Sequence, residues 1–123
     1  MGWVIAGAIC PNAGQPSRYV PDVTTPYRYL WDVPVEDAQG VKYKHFEDMA
    51  TGVKAAIVVN VASNWTITDS NYSELAKLCE KYRSEGFEVF AFPSNEFGNS
   101  EPSSALKVAT EITDKFGDNF RFM

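Results

Sequence analysis

Two cysteines and one histidine are the residues of this chain best suited to covalent or metal chemistry. Cys10 and Cys79 lie far apart in sequence and show no CxxC spacing. That arrangement implies neither a metal site nor a disulfide framework. They read as two free thiols. A thiol works as a nucleophile only as its thiolate, which needs access and a positive surrounding such as a helix N-terminus. Cys79 falls on an apolar stripe with Tyr72, Leu75, Ala76 and Tyr82 at helical spacing, so it reads as a packed thiol. Cys10 lies in an irregular amino-terminal arm, away from the turn that precedes that helix. His45 is the sole histidine, which excludes a multi-histidine metal site. No metal or cofactor is expected.

The bulk numbers bound the rest. The chain has 123 residues, enough for one domain. It is 45% hydrophobic and 22% charged, with a net charge of −5. An acidic chain without a basic patch is poorly suited to a nucleic-acid partner or an anionic membrane. No apolar run approaches the roughly 20 residues of a membrane span. The opening "MGWVIAGAIC" has no basic region and is cut short by Pro11, so it makes a poor secretory signal. An intracellular site is expected.

Those side chains must be positioned by something. Residues 1–26 read as an extended arm, interrupted by Pro11, Pro16, Pro21 and Pro26. Residues 27–123 read as one domain. Alternation in "YRYLWDVPV", the turn "DAQG" and alternation in "VKYKHF" predict a β-hairpin, with Pro34 holding part of it to an edge. "AAIVVNVA" is apolar and rich in β-branched residues, as expected of a strand buried on both faces. A helix is predicted over 70–85, with Asn71 and Glu74 as a capping pair and Gly86 as its stop. "FEVFAFPS" predicts a second buried strand. A second helix over 103–116 would bury Ala105, Leu106, Ala109, Ile112 and Phe116 and end at Gly117. "DNFRFM" is too short to predict. A β-α-β order requires parallel strands and a right-handed crossover. The fold class is α/β.

"NVAS" followed by "YSELAKLCEKYRSEGFEVFAFPSNEFGNSEP" resembles the glutathione peroxidase family, a branch of the thioredoxin-like fold. The likeness covers residues 27–123. It implies a hairpin, then β-α-β-α, with the carboxy-terminal ββα half of the fold lacking. Residue by residue, the likeness puts Trp65 where the family's peroxidatic cysteine or selenocysteine stands. It puts Ser100 at the active-site glutamine and Ser94 at the second cysteine of thiol-dependent members. Peroxide reduction needs a thiolate or selenolate that attacks the O–O bond and is then reduced back. An indole cannot do this.

These substitutions lead to an expected function: a non-catalytic, structural or interaction subunit of a larger assembly. The missing half would leave "AAIVVNVA" with an unpaired edge, which invites another strand. Other protein subunits completing that edge are the expected partners, with Ile57, Val59, Val61 and Trp65 as contacts, and a mitochondrial assembly as the expected setting. Two alternatives stand beside this. One is a thiol-dependent peroxidase of the same family, working through Cys79 or Cys10. The other is a ligand-binding module whose groove is lined by Trp65, Phe92 and Phe97.

Overall fold

The computed structural model describes residues 26–62, 68–95 and 103–123, together with the backbone of Val4–Ala6. Two parallel strands form its centre. β4 (Ala55–Val61) and β5 (Phe87–Pro93) pair over their whole length, from Ala55 opposite Phe87 to Val61 opposite Pro93. Between them runs helix α1 (Thr68–Tyr82), which gives the parallel β-α-β unit the sequence predicts. Helix α2 (Ala105–Phe116) follows β5. The fold is mixed α/β, as expected, and matches part of a thioredoxin-like domain.

Alternation along β4 and β5 sorts their side chains between two cores. Val59, Val89 and Ala91 face the helices and pack with Tyr72, Ala76, Cys79, Val108 and Ile112. Ala56 and Phe90 face the other way, onto Phe46, with Val58 and Phe92 packed beside them. Phe46 and Phe90 are fully buried, with ring centroids 4.6 Å apart in an edge-on arrangement. Each such side chain contributes about 1.5–3 kcal/mol by leaving water. Both strands are thus sandwiched, which is why they read as unbroken apolar runs.

Several boundaries differ from the sequence reading. The hairpin is short: β2 (Val35–Glu36) pairs antiparallel with β3 (Lys42–Tyr43) over two residues each. Its turn forms as predicted, with Asp37 Oδ1 accepting from the backbone N–H groups of Gln39 and Val41. Upstream, Leu30–Asp32 is a 3-10 turn rather than strand. Pro34 has no N–H for a ladder, so the alternating aromatics before it do not continue the sheet. α1 reaches back at least to Thr68, which puts Asn71 and Glu74 inside the helix and removes their capping role. In α2 the buried stripe takes Val108 in place of Leu106, which is 52% exposed. Ser104 caps this helix by accepting from Lys107 N–H.

The two ends of the chain give the larger corrections. The arm is not irregular throughout. Val4–Ala6 forms β1, parallel to β4, with Val4, Ile5 and Ala6 opposite Ala56, Ile57 and Val58. The prolines that argue against a strand begin only at Pro11, whereas "VIA" is apolar and β-branched. The edge of β4 expected to be open is therefore covered from Ala56 to Val58. At the other end, Arg121–Phe122 forms β6, parallel to β5, with Phe90 opposite Arg121. The sheet order is β1-β4-β5-β6. β6 is anchored by charge as well. Glu88, 7% exposed, lies 3.0 Å from Arg121 Nε and 3.6 Å from Arg83. It joins the 3-10 turn at Arg83–Glu85 to β5 and β6.

Gly86 sets where β4 and β5 begin. Its φ is +94°, and its carbonyl accepts from the N–H groups of Lys54 and Ala55 at 2.8 and 3.2 Å. A Cβ there would stand 3.0 Å from the Gly52 carbonyl oxygen. Gly52 also has positive φ, at +81°, but has nothing within 4 Å of such a Cβ. Gly52→Ala should therefore cost about 1 kcal/mol, the strain of the left-handed backbone alone. Gly86→Ala should cost more, about 2–4 kcal/mol, because backbone must also move. Urea midpoints of the two variants against wild type test the ranking.

Candidate active site

The end of β4 and the start of α1 meet at one end of the sheet. Residues 63–67, which connect them, lie outside the described residues, as does the amino-terminal Cys10. What brackets this turn is well defined. Thr68, 8% exposed, donates its hydroxyl hydrogen to the Ala62 carbonyl oxygen across 2.8 Å. This bond joins the residue that ends one side of the turn to the residue that opens the other. On the β5 side, Ser94 N–H donates to Val61 O at 3.0 Å, so β5 delivers Ser94 next to the same turn. The first turn of α1 carries Asp69, which complements the positive end of the helix dipole. Asp69 also contacts Lys115 of α2 at 3.2 Å. Both side chains are largely exposed, so the pair contributes at most about 1 kcal/mol.

A groove of about 330 Å³, open to solvent, lies in this corner. Its walls are Asn60, Val61, Ala62, Thr68, Asn71, Tyr72 and Leu75. They are mostly apolar, with the two amides as polar points. Phe92 does not line it. Phe92 packs on the opposite face, 6.3 Å from the Phe46 ring. Trp65, Phe97 and Ser100 lie outside the described residues.

The residues expected to contact a partner divide by side-chain direction. Val59 is 3% exposed in the helix-facing core, and Ile57 and Val61 are half-buried against the same core. Val61 also lines the groove, whereas Val59 is closed off in the core. The backbone edge at Ile57 is taken by Ile5 of β1. His45 is exposed, and its N–H donates to Asp48 Oδ2 at 3.3 Å, at the start of the Phe46–Met49 turn. Among the described residues, no three metal-ligating side chains gather.

Thr68 is a site residue that sequence reading misses. Its partner is a backbone oxygen, which carries no residue code. The only signal is a polar run, "TITDSN", where a helix must start. Thr68→Val keeps the shape but strips the donor from a buried carbonyl, and should cost about 1–3 kcal/mol. Thr68→Ser should recover most of it. Thermal unfolding of the pair checks this.

Cys79 is placed as its periodicity predicts. It is fully buried, among Tyr72, Ala76 and Val89. Burial pushes its thiol from the usual 9.0 up to about 11, with Glu88 and Glu80 acting in the same sense and Arg83 opposing. The folded thiol holds its proton more tightly than the unfolded one. Its stabilising contribution is therefore full below pH 9 and is lost as pH rises to about 11, amounting to roughly 2–3 kcal/mol. Urea midpoints should fall more between pH 8 and pH 11 for wild type than for Cys79→Ala. Iodoacetamide at pH 8 should label Cys79 only after denaturant is added.

The arrangement matches known proteins. The glutathione peroxidase family profile matches residues 30–123. A probable phospholipid hydroperoxide glutathione peroxidase 6, mitochondrial, of Arabidopsis thaliana is 46% identical over 90 residues, covering 71% of this chain and 36% of the relative. A putative glutathione peroxidase 7, chloroplastic, of the same plant is 46% identical over 67 residues, covering 54% of this chain and 29% of the relative. Glutathione peroxidase 2 of Caenorhabditis elegans is 46% identical over 63 residues, covering 51% of this chain and 39% of the relative. The chain spans about a third of the length of these relatives. These names correct the expectation of a non-catalytic structural subunit. The family and its named relatives are peroxidases, and nothing in the match marks this chain as a pseudoenzyme. The substitutions at Trp65, Ser94 and Ser100 do not carry a conclusion about the activity of the whole. By the family match across residues 30–123, the chain belongs to the glutathione peroxidase family.

Proposed function

We propose that this chain serves thiol-dependent reduction of hydroperoxides, the activity for which its relatives are named. The observation that supports the reading most is the family match over residues 30–123, which includes the strand, turn and helix that bracket the site. The nucleophile must be a thiol, since the indole of Trp65 cannot attack an O–O bond. Cys79 is unsuited, being fully buried and holding its proton to about 11. Cys10 is the other thiol of this sequence and is assigned the role here, although it lies outside the matched residues and the described ones. β1 runs parallel to β4, so Ala6 is the residue of β1 nearest the end of the sheet where β4 enters the turn. Cys10 follows by four residues, which can span at most about 14 Å.

The reaction balances as follows. The Cys10 thiolate attacks the outer oxygen of ROOH, an S–O bond forms, and the O–O bond breaks. The leaving RO⁻ takes a proton to give ROH, and Cys10 becomes a sulfenic acid. A small thiol then attacks that sulfur, forming a disulfide and releasing water. A second thiol attacks the sulfur of the first, the two leave together as a free disulfide, and Cys10 departs as the thiolate and regains its proton. Overall, one hydroperoxide and two thiols give one alcohol, one water and one disulfide.

The compartment follows less directly. One 46%-identical relative is named mitochondrial, which supports the mitochondrial reading, and another of equal identity is named chloroplastic.

The test is consumption of cumene hydroperoxide in the presence of glutathione. Wild type should consume many equivalents. Cys10→Ser should fall to the buffer rate, and Cys79→Ser should stay within about twofold of wild type. Buffer-level consumption by the wild-type chain overturns the activity. Full turnover by Cys10→Ser overturns the choice of nucleophile alone.

A further inference from the structure

We draw no further inference here: the strongest candidate, the open groove between the end of β4 and the first turns of α1, belongs to the site already described, and nothing in the structure names an occupant for it beyond that reading.

Discussion

Parallel pairing of β4 with β5 is the constraint on which this structure depends. A parallel ladder demands a long crossover, and that crossover is α1. Burial on both faces demands two covers. The helices supply one, and the Phe46 cluster supplies the other. Once β4 is fixed between them, its last residues and the first turn of α1 have one relative position. The groove, Ser94 and the Thr68 hydroxyl all follow from it.

How much of this could be read from the sequence varies with the range of the interaction. β4, β5, α1 and α2 are legible because two-sided burial and helical periodicity are written locally, residue after residue. Cys79 is legible for the same reason. Leu106 and Val108 are confused because both fit an apolar stripe, and only the packed sheet decides which one turns inward. β1 and β6 are not legible. Each is a few residues long and exists only because a neighbouring strand offers it hydrogen bonds. The alternating aromatics at Tyr27–Trp31 mimic a strand, but Pro34 withholds the donor the ladder would need.

The function shows a related limit. Reading an absence of chemistry from the substituted positions Trp65, Ser94 and Ser100 goes against the family match, which the scaffold over residues 30–123 carries. Trp65 forbids one mechanism at one place. It says nothing about the other thiol, and the chain covers about a third of the relatives that carry the name. Burial then separates the two cysteines. A thiol held protonated to about 11 among Tyr72, Ala76 and Val89 belongs to the core, whatever its sequence neighbours suggest.

The hydrogen bond from Thr68 to Ala62 has a further consequence. It clamps both feet of the connection between β4 and α1 with atoms that belong to neither the turn nor its chemistry. Scaffold geometry and turn content are thereby decoupled. The bond fixes the span that residues 63–67 must bridge, so a change in their number alters the fit of that span. Such a frame is intolerant of insertions, because its two ends are held together by a bond that ignores what lies between them.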